Sequence, residues 1–369
     1  MSQSIHVLHT EWSDGWGGQE IRIIEEMCAV RDLGVTVSLA CRPEARIREK
    51  AREREIPVHT LPFRGNTDLE TLWKLIRIIR REKIDIVNTH SGKDTWVGGV
   101  AAKLAGAKFI RTRHLSNPIN PSRLNFINGL ADYIFTTGES VREDMIRCNR
   151  IDPKKIASIP TGIDETRFSP ACCDREEVRR ELGILPGQIV IGNLAVLRSF
   201  KRHDLLIEAA ETTLKTHPDL LFLIAGEGPQ RPKLEESIRD KGLQKHIRLL
   251  GHTEKPERFL RALDIFVLSS DSKEGVPQSV IQALMMGLPV IATDVGSTRD
   301  LYTGDNLLLL PPGESRKLQQ AIESLLCDPD RRRKLAENAR SSVRNYRRDL
   351  MAEKIYSIYK TLLKADRVR

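Results

Sequence analysis

Short apolar runs alternate with amphipathic stretches along most of this chain. Residues 5–9, 35–41, 84–88, 108–112 and 133–137 are apolar enough to be strands buried on both faces. Between them, residues 20–33 and 68–82 carry their apolar positions at helical spacing. A second series at 189–194, 220–225, 247–250, 264–268 and 289–293 is interleaved with helical patterns in the same way. Parallel neighbours need crossover connections, so this alternation predicts α/β architecture with two doubly wound, Rossmann-like sheets. A length of 369 residues is comfortable for two cores.

The segment IPTGIDETRFSP, residues 159–170, interrupts regular structure with its prolines and glycine and reads as the hinge. Predicted boundaries are 1–168 for an N-terminal domain, 169–346 for a C-terminal domain and 347–369 for a final helix. That helix carries Met351, Ile355, Ile358, Tyr359 and Leu362 at helical spacing, so it must dock on a neighbour.

Composition narrows the class. Apolar residues at 40% and charged residues at 30% describe an ordinary globular protein. No stretch reaches the roughly 18 to 20 consecutive apolar residues of a membrane span, and the N-terminus has no signal-peptide pattern, so a cytoplasmic location is expected. The six cysteines lack metal-ligand spacing and disulfide density and are expected to be reduced thiols. His6 and His9 fall on opposite faces of a strand, which argues against a shared metal. Asp328, Pro329 and Asp330 form a helix junction, with Asp330 the expected cap. No protein-bound metal and no cofactor is expected.

The net charge of +9 fits nucleic acid, an anionic membrane or phosphate-bearing substrates. Aromatic residues at 5% are too few for stacking on single strands, so no nucleic acid partner is expected. The helix around 71–83 mixes Leu72, Leu75, Ile76 and Ile79 with five basic residues. That pattern suits peripheral contact with anionic lipid, but the solvated outer face of a crossover helix looks the same and is the simpler reading.

The richest segment is EGVPQSVIQALMMGLPVIATDVGS, residues 274–297. It follows a predicted strand and a polar loop, so Glu274 and Gly275 sit where parallel strands open onto ligand. After Val276, Pro277 suits the first turn of a helix, whose free amides and positive dipole end suit a diphosphate. Gln282 comes eight positions after Glu274. Earlier, AVLRSFKRHD joins a strand to a helix and places two cations, Arg198 and Lys201, at a strand's carboxyl end. Near the start, SDGWGGQE puts Gly17 and Gly18 between strand and helix, where backbone can approach a ligand. His90, Lys93 and His114 follow strands of the first sheet. Gly226 and Gly228 lack the third glycine of a dinucleotide fingerprint, and their turn reads as structural.

Taken in order, these motifs closely resemble the retaining glycosyltransferases of family 4, which have the GT-B fold of two Rossmann-like domains facing a central cleft. The resemblance implies a nucleoside-diphosphate sugar as donor and a glycan or lipid-linked glycan as acceptor, in the synthesis of lipopolysaccharide or another surface polysaccharide. It implies that Glu274 binds donor-sugar hydroxyls, Lys201 and Arg198 grip the phosphates, and His114 lies near the donor sugar. Gly17, Gly18, Gly275, Val276, Pro277, Gln278, Gln282 and His252 would line the donor, with His90 and Lys93 on the acceptor side. The final helix would return to the first domain. Two departures stand out: Gln282 replaces the family's second glutamate, and the usual arginine position falls on Val196, leaving Arg198 to serve from two residues on. A GT-B-type sugar-nucleotide epimerase and a non-catalytic basic binding module are the alternatives.

Overall fold

The computed structural model describes residues 4–114, 119, 126–272 and 274–367. The chain forms two compact units, one of Met1–Gly162 with Arg348–Arg369 and one of Ile163–Arg347. The division falls inside the proline- and glycine-interrupted segment at 159–170.

In the first unit, strands β1 (His6–Glu11), β2 (Thr36–Cys41), β3 (Val58–Thr60), β4 (Ile86–Thr89), β5 (Lys108–Arg113), β6 (Tyr133–Thr136) and β7 (Ile156–Ser158) form one sheet in the order β3-β2-β1-β4-β5-β6-β7. The second unit holds β8 (Val190–Leu194), β9 (Leu221–Ala225), β10 (Ile247–Gly251), β11 (Ile265–Leu268), β12 (Val290–Thr293) and β13 (Leu308–Leu310), ordered β10-β9-β8-β11-β12-β13. The paired strands run parallel. β3, β7 and β13 went unread because each has three residues at a sheet margin, too few to set a period; β3 and β13 also lack fully buried side chains.

Alternation along each strand builds two cores per sheet. Val7, Leu39, Ile86, Ile110 and Phe135 pack with Ile23 and Met27 of the helix Gly18–Arg31 and with Met351, Ile355 and Tyr359 of the final helix Arg348–Arg367. Their neighbours Leu8, Ala40, Val87, Phe109 and Ile134 face Leu75, Ile79 and Val97 on the opposite side. In the second unit, Leu221, Leu223, Phe266 and Leu268 pack with Val280, Ile281 and Leu284, while Phe222, Ile224, Ile265 and Val267 meet Leu206, Ile207 and Ile322. The final helix belongs to the first unit, where Arg348 reaches Asp32 at 2.8 Å and Lys354 donates to the Ser158 carbonyl at 2.7 Å.

Each sheet reverses its order once, between β1 and β4 and between β8 and β11. Loops leaving the carboxyl ends there diverge to opposite faces and open a crevice. One element differs from expectation. The cap of the helix Pro329–Ser342 is Asp328, whose carboxylate accepts from the Arg331 amide at 2.8 Å; Asp330 lies in the first turn and pairs with Arg333. Proline at the first helical position shifts the cap one residue upstream of itself.

A buried charge pair crosses the first core. Arg22 and Glu26, both fully buried, meet at 3.3 Å, and Asn88 Nδ2 donates to Glu26 Oε1 at 3.1 Å while Thr112 Oγ1 donates to Asn88 at 2.8 Å. Removing one partner strands the other charge, so Glu26→Leu is expected to cost about 3 to 5 kcal/mol in urea unfolding. Adding Arg22→Met should recover most of that loss; a double loss equal to the sum of the two single losses would show that the pair is not coupled.

Candidate functional site

The second unit's loops are held by backbone contacts that only glycine allows. Gly226 has φ +147°, and a Cβ there would sit 1.8 Å from the Ala195 carbonyl oxygen; one at Gly228 would sit 2.6 Å from that of Leu197. The Ala195 amide donates to Ala225 at 3.1 Å, Leu197 to Glu227 at 2.9 Å and Gln230 to Leu197 at 2.9 Å. The turn after β9 is thus the template on which the loop after β8 lies. That loop carries half-buried Val196, exposed Arg198 and Lys201.

A second set of bonds ties this loop to the one after β11. Ser269 Oγ lies 3.0 Å from the carbonyl oxygens of both Lys201 and Arg202, and the Asp271 amide donates to Phe200 at 2.9 Å. Arg202 takes the left-handed conformation at φ +49° and spends its guanidinium on Asp204 and Asp271. Beneath them, Asn193 donates to the Val267 carbonyl at 2.8 Å and its Oδ1 faces His203 Nε2 at 3.0 Å, so His203 is the donor there. Burial, and then the Lys201 charge, push His203 down to about 4.

These ties bring Lys201 and Glu274 together. Lys201 Nζ donates to Glu274 Oε1 at 2.5 Å, and Ser270 Oγ donates to the same oxygen at 2.6 Å. The side chains are 15% and 8% exposed, so the pair sits at the edge of water. Glu274 Oε2 and the other ammonium hydrogens of Lys201 are free of these two bonds. Thr293 Oγ1 donates to the Ser270 carbonyl at 2.5 Å, and Gly296, at φ +55°, passes so close that a Cβ would lie 1.8 Å from the Glu274 carbonyl oxygen. The helix Gln278–Met285 begins after Pro277, which occupies the cap position rather than the first turn. Val276, Val280, Ile281 and Leu284 are buried, whereas Gly275, Gln278 and Gln282 are half-buried, with the two glutamines a turn apart on one face. His252 is exposed beyond the edge strand β10, two strands away from β8.

The first unit has a different electrostatic character. Gly17 caps the helix Gly18–Arg31, and its amide donates to Glu20 at 2.8 Å, so a ligand oxygen there competes with that carboxylate. Nearby, burial and then Asp94 and Glu20 hold Glu11 well above the usual carboxyl range, although it accepts from Ser13 and Gln19. Asp94 accepts from Thr10 Oγ1 at 2.6 Å and from the amides of His90 and Ser91. Lys93 is exposed and lies 3.9 Å above the Trp12 ring, not beside His90. His90 is buried between two other histidines. Its Nε2 meets His9 Nδ1 at 2.9 Å and its Nδ1 meets His114 Nε2 at 3.0 Å, so neither ring nitrogen is left for an acceptor.

Ser270 and Ser269 are the polar groups that sequence reading passed over; the serine four positions before Glu274 was their one signal. His9 was also missed, because a histidine inside an apolar strand has no partner visible in sequence. Among the described residues no group of three His, Cys, Asp or Glu side chains is placed to hold a metal, and no helix is long and apolar enough to cross a membrane.

Two parallel-sheet Rossmann-like units with an ion pair and a helix start at the second switch point define the GT-B fold class of glycosyltransferases. Solved structures agree: a glycosyltransferase from Rickettsia africae superposes with a TM-score of 0.88 at 24% identity over 98% of this chain and 99% of that one. Anabaena Alr3699/HepE in complex with UDP and glucose gives 0.85 at 19% identity over 97% of this chain and 100% of that one. The family model described as Glycosyltransferase Family 4 matches residues 16–167, and that described as Glycosyl transferases group 1 matches residues 174–342. The chain therefore belongs to the group 1, family 4 glycosyltransferases. It is 25% identical over 364 residues to the putative glycosyltransferase EpsD of Bacillus subtilis, covering 91% of this chain and 92% of that one. It is 29% identical over 252 residues to an Escherichia coli UDP-Gal:alpha-D-GlcNAc-diphosphoundecaprenol alpha-1,3-galactosyltransferase, a match spanning 64% of this chain and 65% of that enzyme.

The close approach at Gly296 is testable. Gly296→Ala is expected to destabilise the protein by about 2 kcal/mol or more, since both φ and the Glu274 carbonyl oppose a Cβ. Gly304→Ala, which also has positive φ but open space around it, should cost only about 1 kcal/mol. Equal losses in thermal unfolding would remove the special role of the Gly296 contact.

Proposed function

We propose that this chain transfers a sugar from a nucleoside diphosphate to a hydroxyl of a glycan or lipid-linked glycan, with retention at the anomeric carbon, in lipopolysaccharide or surface polysaccharide synthesis. The observation that carries the reading is Lys201 against Glu274 at the carboxyl edge of β8 and β11, 2.5 Å apart. A cation and a carboxylate held side by side suit a ligand with a phosphate next to hydroxyls. The UDP-Gal used by the E. coli galactosyltransferase and the UDP and glucose bound by Alr3699/HepE are of that chemistry.

In the reaction, the bond between the anomeric carbon and diphosphate oxygen breaks, negative charge grows on the diphosphate and positive charge on the sugar. Lys201, Arg198 and the amides at the start of the helix Gln278–Met285 stabilise the departing diphosphate. Glu274 keeps one oxygen on Lys201 and Ser270 and offers the other to sugar hydroxyls. Gln282, half-buried a turn beyond Gln278, binds ribose through a neutral amide that both donates and accepts. His114, Gly17 and Gly18 serve the donor as the resemblance implies. The acceptor oxygen forms the new bond on the face the diphosphate leaves, and its proton passes to a leaving phosphate oxygen.

A panel of UDP, GDP and ADP sugars, read by thermal shift and then by hydrolysis, is expected to yield one stabilising donor. With that donor, Lys201→Ala and Glu274→Ala should each lower turnover about a hundredfold or more with the fold retained. Near-normal turnover in both would sink the site. Donor converted to an epimer without acceptor would instead mark an epimerase.

The acceptor reading gains a second observation. The helix Leu69–Arg81 turns Leu75, Ile78 and Ile79 inward but leaves Leu69 75% and Trp73 57% exposed, with the Arg77 guanidinium 4.5 Å above the Trp73 ring. Arg80 on the same face donates to the carbonyl of Leu104, itself 57% exposed. We infer that this basic, apolar face rests on anionic lipid. Sedimentation with vesicles rich in phosphatidylglycerol should exceed that with phosphatidylcholine, and Trp73→Ala with Arg77→Glu should lower it about tenfold. Equal binding to both vesicles, or to the variant, would refute the surface.

A further inference from the structure

Three buried histidines from three adjacent strand ends are joined through their ring nitrogens. His9 lies on β1, His90 follows β4 and His114 follows β5, and these strands are neighbours in the sheet. His9 and His90 stack with centroids 5.2 Å apart and planes 10° apart, and His90 and His114 have the same centroid spacing. The contacts are His9 Nδ1 to His90 Nε2 and His90 Nδ1 to His114 Nε2, at 2.9 and 3.0 Å. His9 Nε2 is one end of the chain of rings, buried without a partner, and His114 Nδ1 is the other end.

A neutral imidazole carries one N–H, so a chain joined in this way has two consistent proton arrangements. In one, every Nδ1 is protonated: His9 donates to His90, His90 donates to His114 Nε2, and His114 keeps its Nδ1–H as a donor. In the other, every Nε2 is protonated, His114 Nδ1 is a bare acceptor, and His9 Nε2–H is buried with nothing to receive it. An orphaned buried N–H is the rarer and costlier defect. The Arg22 charge acts on all three rings. Of the other groups around the relay, Asp94 bonds the His90 amide and Arg113 acts on His114. Burial pushes His9 down to about 3 and the other two well below their usual range, which keeps the rings neutral.

We propose that this relay fixes His114 as a neutral Nδ1–H donor, with His9 and His90 as positioning residues that set its proton. This rests on the reading above that His114 serves the donor. A ring locked in that form meets an oxygen acceptor, such as a phosphate or sugar oxygen, without adding a charge. Binding a hydrogen-bond donor instead would require all three rings to exchange protons and bury an unsatisfied N–H.

Long-range proton–nitrogen correlation spectra of ligand-free protein labelled with 15N-histidine read the ring protons directly. Nδ1-protonated patterns are expected for His9, His90 and His114 from about pH 6 to about pH 8, with no titration near the free histidine value. An Nε2-protonated or charged His114 would overturn the proposal. His9→Leu should keep its unfolding midpoint within a few degrees, mix the His114 pattern and lower kcat by about tenfold, the scale of one hydrogen bond. An unchanged His114 pattern in that variant would overturn the role of His9. Should no sugar nucleotide turn over, the reading of the donor site fails, while the wild-type spectra still decide the relay.

Discussion

One oxygen of Glu274 receives both the Lys201 ammonium and the Ser270 hydroxyl, and the second unit's site depends on that junction being held. Lys201 and Glu274 come from loops far apart in the chain. They meet because β8 and β11 are sheet neighbours at the point where strand order reverses. Serine hydroxyls, amide-to-carbonyl bonds and three glycine contacts then remove the freedom each loop would otherwise have. Preorganisation of this kind matters for a leaving diphosphate, because polar groups already oriented need not reorganise as charge develops.

The two units manage charge in opposite ways. At the second switch point Lys201 and Arg198 stand at a strand edge with an ammonium and a guanidinium near water. At the first, Glu11 and Asp94 are held high by burial and three histidines are held low, so the groups that titrate are driven toward neutral forms. Arg22 and Glu26 face each other deep in that core, and Asn88 donates to Glu26.

Much of the fold was legible because parallel strands buried on both faces print continuous apolar runs, and all ten predicted runs became strands. The unread ones, β3, β7 and β13, are margin strands whose existence depends on a neighbour's exposed edge rather than on their own pattern. The site was legible in part for a related reason. Glycine, lysine and glutamate at the ends of strands mark ligand-facing loops, and motif order tied them to a family. Ser270 and His9 carried no such mark, since a serine in a polar loop and a histidine in a strand look the same whether or not they have a partner.

Local sequence by itself determined most of the strands and helices, that they fall in two series, and which loops carry charge, because these follow from periodicity and residue type over a few positions. Tertiary structure decided which groups share a proton or an ion pair. His90 acquired two histidine neighbours, and Glu274 acquired Lys201 and Ser270 on one oxygen. Hydrogen bonds and ion pairs act over about 3 Å, and only the folded sheet sets which side chains come that close.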